Sequence, residues 1–280
     1  MIIDAIRLYS AAESSTPLAL YAEFGLNHAD TSQSYILQQG WGFDLDEINP
    51  YFYGSYGSND FVAMTPRDRL IVMKIRLNPQ IQSGETPSSL RDHLYRLIAS
   101  GRTGLSEVRL MNGGSPVAYI RGHIKKFEAD IFSPDPVIQV SISCPDPMFK
   151  SVNPVTPTVT ISSGIATITD NVSTAPHGFD MTLQFSGNDS SPFVVQGKAG
   201  TTEWPFQLNY DFITSDRLRI VSYEDQKSVS VLRSGNTIQL MDKIAIGQVW
   251  PLMFPGVTQL QFPATVTMYA FEYYQYFWGV

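Results

Sequence analysis

Charge is what this sequence has least of. Asp, Glu, Lys and Arg make up 16% of its 280 residues, against roughly 25% in an average soluble domain. Hydrophobic side chains fill 43% and aromatics 12%, enough apolar surface to build a core and to exclude a disordered chain. A single cysteine, Cys144, excludes an intramolecular disulfide framework and any multi-cysteine metal site. Long apolar runs are missing too, so no membrane-spanning helix is expected. The opening MIIDAIRLYS sets Asp4 and Arg7 where a secretion signal would carry its apolar core. Folding in a reducing cytoplasm is therefore expected.

Basic side chains are scarcest in the first quarter. Residues 1–66 hold Arg7 alone against Asp4, Glu13, Glu23, Asp30, Asp44, Asp46, Glu47 and Asp60, a net −7 that equals the charge of the whole chain. Residues 67–150 carry twelve basic and eight acidic side chains, and residues 151–280 carry six and ten. A general nucleic-acid binder is not expected on this balance, because phosphate contacts need basic patches.

Motifs of catalysis are absent. There is no G-x-S-x-G elbow and no H-E-x-x-H, and Gly197-Lys198 has neither the upstream glycine nor the following Ser/Thr of a phosphate loop. His28, His93, His123 and His177 are far apart, with no partner at ligand spacing. Asp44-Leu45-Asp46-Glu47 lacks the glycine and distal glutamate of a calcium loop, and reads as a solvated acidic turn. Asn171-Val172-Ser173 and Asn188-Asp189-Ser190 match the glycosylation acceptor, and are expected to be chance matches because no secretion is expected. No catalytic residue, cofactor or metal is expected. The chain reads as a structural protein.

What is abundant is period-2 alternation between turns rich in Gly and Pro, the mark of half-buried antiparallel strands. Ile71, Met73 and Ile75 share one face, as do Ile138, Val140, Ile142 and Cys144. Leu105–Met111 and Ser115–Phe127 flank Asn112-Gly113-Gly114, a hairpin signal. One segment reads as a helix. Thr86-Pro87 starts it, Leu90, Leu94, Leu97 and Ile98 form its apolar stripe, and Gly101 follows as a C-cap.

Cys144-Pro145-Asp146-Pro147 closes a strand, and Pro154 and Pro157 stiffen a linker. Two domains are expected, 1–150 and 151–280. The second has strand-like runs at 159–168, 181–185, 193–196, 206–210, 218–223, 229–232, 237–241, 260–262 and 265–276, which predict a sandwich or barrel. Arg121, His123 and Lys125 form a basic stripe on one strand, either a solvent face or a subunit contact. In the aromatic C-terminus, alternation would bury Tyr269, Phe271 and Tyr273 and leave Tyr274, Tyr276 and Trp278 harder to hide, so a core role and an interface role stand equal there.

Several segments, in order, resemble the distal tail proteins of siphophage-type bacteriophages. They are Gln39-Gly40-Trp41-Gly42-Phe43-Asp44, Arg67-Asp68-Arg69-Leu70-Ile71-Val72, the helix at 89–99, the Asn112-Gly113 hairpin and the Pro-Asp-Pro ending at 145–147. Trp250-Pro251-Leu252-Met253-Phe254-Pro255-Gly256 is similar to the family's late apolar segment. The resemblance covers about two thirds of the chain and leaves 11–38 and 170–245 unmatched.

It implies a mainly β chain, with an N-terminal ring-forming β-domain crossed by one amphipathic helix and a galectin-like β-sandwich behind it. It also implies a structural virion protein at the distal end of the tail, assembled in the host cytoplasm as a hexameric ring. Its partners would be further copies of itself, the tail tube protein, the tip hub protein and a receptor-binding protein. DNA would pass through the ring without specific binding. On that view Asp30, Asp44, Asp46, Glu47 and Asp60 are expected to face the lumen, where like charge discourages DNA adsorption. Arg69, Arg76 and Arg121 are expected at contacts between subunits. Sugar binding does not follow from a galectin-like shape, since His177-Gly178-Phe179-Asp180 lacks the galectin His-x-Asn-x-Arg set and Trp204 is an isolated platform. The alternatives are a receptor- or glycan-binding tail or baseplate protein and, third, an extracellular carbohydrate-active enzyme.

Overall fold

The computed structural model of the chain describes residues 3–10, 21–27, 32–43, 50–52, 64–66, 68–101, 104–129, 137–162, 164–223 and 226–279. It forms two compact units, Met1–Val152 together with Trp278–Val280, and Asn153–Phe277. The chain therefore leaves the first unit once and re-enters it for its last three residues.

The first unit is built from β1 (Ala5–Tyr9), β2 (Tyr21–Gly25), β3 (Tyr35–Trp41), β4 (Pro50–Phe52), β5 (Met64–Pro66), β6 (Arg69–Leu77), α1 (Pro87–Gly101), β7 (Ser106–Asn112), β8 (Ser115–Ala129), β9 (Val137–Cys144) and β10 (Phe149–Ser151). The main ladder runs β10-β8-β7-β1-β2-β3-β6-β9, and β8 pairs with β9 as well, so the sheet closes into a barrel. β2 and β3 pair in parallel, at Gly25 opposite Ile36. β4 and β5 form a separate ribbon.

Closure depends on how β8 changes partner. Its residues up to Gly122 pair with β7, and those from His123 onward pair with β9. At the crossing, a Cβ on Gly122 would lie 2.6 Å from the Ser143 carbonyl oxygen, 2.7 Å from Ile142 Cγ2 and 2.8 Å from Cys144 Sγ. Only glycine lets the two backbones come this close.

Inside the barrel the alternation does what the sequence predicts. Ile71, Met73 and Ile75 pair with Ile142, Val140 and Ile138, and all six are buried with Ile6, Leu8, Phe24, Val108, Leu110 and Ile120. The hairpin from β7 to β8 turns through Gly113 (φ 57°) and Gly114 (φ 78°), the paired positive φ of a type I′ turn. Thr86 and Ser89 cap α1 reciprocally: Thr86 Oγ1 accepts the Ser89 N–H at 3.1 Å and Ser89 Oγ accepts the Thr86 N–H at 2.9 Å. Leu90, Leu94, Leu97 and Ile98 are buried, each stabilising the unit by roughly 1.5–3 kcal/mol. Gly101, expected just beyond the helix, is its last residue.

The second unit comprises β11 (Thr160–Ser162), β12 (Ile165–Asp170), β13 (Asp180–Phe185), β14 (Phe193–Ala199), β15 (Thr202–Leu208), β16 (Arg217–Val221), β17 (Ser228–Arg233), β18 (Asn236–Gln239), β19 (Gly256–Gln261), β20 (Val266–Glu272) and β21 (Tyr276–Phe277). Two five-stranded antiparallel sheets, β11-β12-β19-β14-β15 and β18-β17-β16-β13-β20, make a sandwich. Ile168, Phe179, Leu183, Phe206, Val231 and Phe271 are among the buried side chains that fill it.

Two details differ from the sequence pattern. Residues 159–168 are not one strand: Gly164, at φ 77°, folds β11 back on β12. Tyr269 is not core but 58% exposed. Thr182 pairs with Ala270 and Leu183 with Met268, so Tyr269 is the extra residue of a bulge and the alternation changes phase there. Its ring carries the Arg217 guanidinium 4.3 Å from its centroid.

Candidate assembly site

Four adjacent strands of the barrel present a mosaic of rings and charges. Cross-strand register sets Tyr21, Tyr9, Glu107 and Arg121 in one row, and Glu23, Arg7, Arg109 and Tyr119 in the next. These positions point outward because the residues between them, Ile6, Leu8, Ala22, Val108, Ala118 and Ile120, are buried in the core.

The mosaic is tightly cross-linked. Arg7 Nε donates to Glu23 at 2.5 Å. Glu107 accepts from Arg109 Nε and, at 3.1 Å, from Arg121 Nε. Arg109 sits 4.5 Å from the Tyr9 ring centroid, Arg7 lies 5.2 Å from that of Tyr21, and Arg121 lies 5.0 Å from that of Tyr119. Tyr9 and Tyr21 stack at 5.2 Å. Glu107 is only 1% exposed, roofed by the two arginines it holds. Burial works against the Arg7 charge, but the Glu23 hydrogen bond and Tyr9 raise its pKa above the ordinary value. The result is a surface of preordered Arg and Tyr side chains, the residue types enriched at protein interfaces.

Of the three arginines expected at subunit contacts, only Arg121 belongs to this surface. Arg69 must be corrected. It is 3% exposed, donates to the Gly42 carbonyl at 2.8 Å and to the Trp278 carbonyl, and lies 5.3 Å from the Phe149 ring centroid. It is a clamp inside the first unit, holding the returning C-terminus, and has no surface left for a partner. Arg76 is half-buried on β6, between Ile36 and Val137, apart from the mosaic. Asp30, Asp44, Asp46, Glu47 and Asp60 lie outside the described residues. The stripe Arg121, His123, Lys125 is interrupted, since β8 shifts register between Ile124 and Lys126. Glu107, the hub of the mosaic, is not marked by any motif in the sequence. Its signal was weak: an acid flanked by Ser106 and Val108 in a strand, with its two cations on different strands.

An acid and histidine pair is enclosed. His177 and Asp170 approach to 3.5 Å with both side chains fully buried. Asp170 accepts the Val172 and Ser173 N–H groups. Burial pushes the His177 pKa down, against the pull of the Ala175 carbonyl and Asp170, so a neutral ring donates from Nδ1 to Ala175 at 3.2 Å. No substrate can reach this pair, and its part is structural. Among the described residues no group of three His, Cys, Asp or Glu is placed to hold a metal. A groove of about 250 Å³ is lined by Gln196, Lys198, Glu203, Trp204, Gln259 and Gln261 among others. Trp204 is no platform for a sugar there, being 6% exposed. A Cβ on Gly197 would lie 2.0 Å from its ring, so the indole is packed beneath the sheet.

No family model matches the sequence, and no curated protein matches it. Among solved structures, the fold is similar to that of the Dit protein (gp 19.1) of SPP1, described as a paradigm of the hub adsorption apparatus of phages that infect Gram-positive bacteria. The TM-score is 0.63 and the identity 14%, over 98% of this chain and 99% of that one. Two structures of the phage p2 baseplate in its activated conformation, with Sr and with Ca, align over 98% of each chain at 8% identity. Their TM-scores of 0.42 are too low to bear on the fold. From end to end, then, this chain has the fold of the SPP1 Dit protein.

Proposed function

We propose that the protein is a distal tail adaptor of a siphophage-type bacteriophage. It is a structural virion component that forms a ring, joins the tail tube to the tip hub and receptor-binding apparatus, and lets DNA pass. The observation that carries this reading is the likeness to SPP1 Dit across both units. A fold shared with an isolated domain would leave function open, whereas here two different β architectures in one chain are matched in the same order.

The first unit is the ring-forming part on this reading. Its barrel has no open edge between β8 and β9, so neighbours meet through side chains rather than by strand pairing. The mosaic around Glu107 supplies one half of such a contact, with Arg121 at its border. A closed ring of identical subunits needs a heterologous contact, so the opposing surface lies elsewhere on the barrel. On the same reading Arg76, half-buried on β6, lies at a contact. Immunogold labelling of phage particles tests the placement. Label at the tail end distal to the head is expected, and label confined to the head, or absent from particles, would overturn it.

A further inference from the structure

The sandwich has four outer strands, and three of them are blunted against pairing. β11 is only three residues long. β15 contains Pro205 and is covered where Leu208 bridges Ile244, with backbone hydrogen bonds from Asn209 to Lys243 and from Ala245 to Gln207. β20 bulges at Tyr269. Such devices keep sheet edges from pairing with other chains.

β18, four residues long, has no proline, no bulge and no covering bridge among the described residues. Asn236-Thr237-Ile238-Gln239 contains no charge, proline or glycine, and all four residues are exposed. The turn through Ser234 (φ 49°) and Gly235 (φ 82°) sets Arg233 opposite Asn236, and the Leu240 N–H donates to the Val229 carbonyl at 2.8 Å. Hydrogen bonds in an antiparallel pair alternate, so Asn236, Ile238 and Leu240 turn their backbone groups toward β17. Thr237 and Gln239 turn theirs outward.

Side chains agree with the backbone. Ile238 pairs with the buried Val231, hence faces the core side, yet is 37% exposed at the end of its sheet. Met241, just past the strand, is 45% exposed. The flanking charges are satisfied within the chain, Arg233 by Asp216 and Asp242 by Lys243, which leaves a neutral strip.

We propose that β18 accepts an extended, uncharged strand from another polypeptide as a sixth strand of its sheet. The added strand would bond Thr237 and Gln239 and set an apolar side chain beside Ile238. This is the main-chain recognition mode of strand addition, with alternate side chains giving specificity.

The probe is an uncharged octapeptide alternating Thr and Val, titrated into the full chain and followed by amide NMR. Shifts and slowed exchange, roughly tenfold or more, are expected at Thr237 and Gln239. They should vanish with Gln239→Lys, with Thr237→Pro, and with a peptide N-methylated along one edge. Both substitutions sit at outward-facing positions, so the melting temperature serves as the folding control. No response at those amides, or an equal response in folded Gln239→Lys, would overturn the proposal. Protection that rises with protein concentration without peptide would overturn it too, as self-pairing. A second arm, which rests on the tail reading, compares exchange in the free chain and in virions. Absence of the chain from virions would fail that reading alone, whereas its presence with Thr237 and Gln239 unprotected would fail the strand proposal.

Discussion

Replacing Arg69 with methionine separates a clamp from a subunit contact. The substitution keeps the apolar stem and removes the donors to Gly42 and Trp278. Hydrogen bonds from a charged donor contribute about 1.5–3 kcal/mol each, and the gain from no longer burying a guanidinium offsets part of two such losses. The net cost is roughly 2–4 kcal/mol. Each kcal/mol moves the melting point of a unit this size by about 2–4 °C, so the transition of the first unit should fall by about 4–16 °C. Differential scanning calorimetry at low protein concentration reads this directly, with the second unit as internal control. The last three residues, which belong to the first unit, should also become open to carboxypeptidase. A variant that melts like the parent and loses only self-association would refute the clamp and restore Arg69 as a subunit contact.

Gly122→Ala should destabilise the first unit by roughly 1–3 kcal/mol, because its Cβ would meet the β9 backbone within 2.6 Å; denaturant unfolding at parental stability would mean the barrel closes differently. The Cys144 thiol, buried with its pKa pushed up to about 12, should resist Ellman's reagent in the native protein and react in guanidinium; fast native labelling would contradict its burial. The His177 pKa is lowered in the folded state, so its contribution is complete above the unfolded value near 6.5 and is lost as pH falls through the folded pKa. The melting temperature of the second unit should therefore drop between neutral pH and pH 5, and less so in His177→Phe; an equal drop in both would place the titration elsewhere.

The elements were legible where one face is buried and the other wet. Ile71, Met73 and Ile75 fixed the inner face of β6, Leu90 to Ile98 fixed the helix, and Asn112-Gly113-Gly114 fixed a turn. Partnership was not legible, since period-2 alternation names a face and not a neighbour. β8 serving both β7 and β9 rests on a single glycine contact that appears only in three dimensions. Alternation misplaced Tyr269 because a bulge inserts one residue without any compositional mark. The mosaic was half legible: Arg121 stood out as a strand cation, while Glu107 looked like any acid in a strand until Arg109 and Arg121 closed over it.

Ring formation is tested most directly by mass measurement with imaging. Multi-angle light scattering of the concentrated protein, with negative-stain electron microscopy of the same fraction, should give six times the 31.2 kDa chain mass and closed particles with an open axis. Monomers alone at high concentration, together with no ring of this chain in the virion, would contradict it.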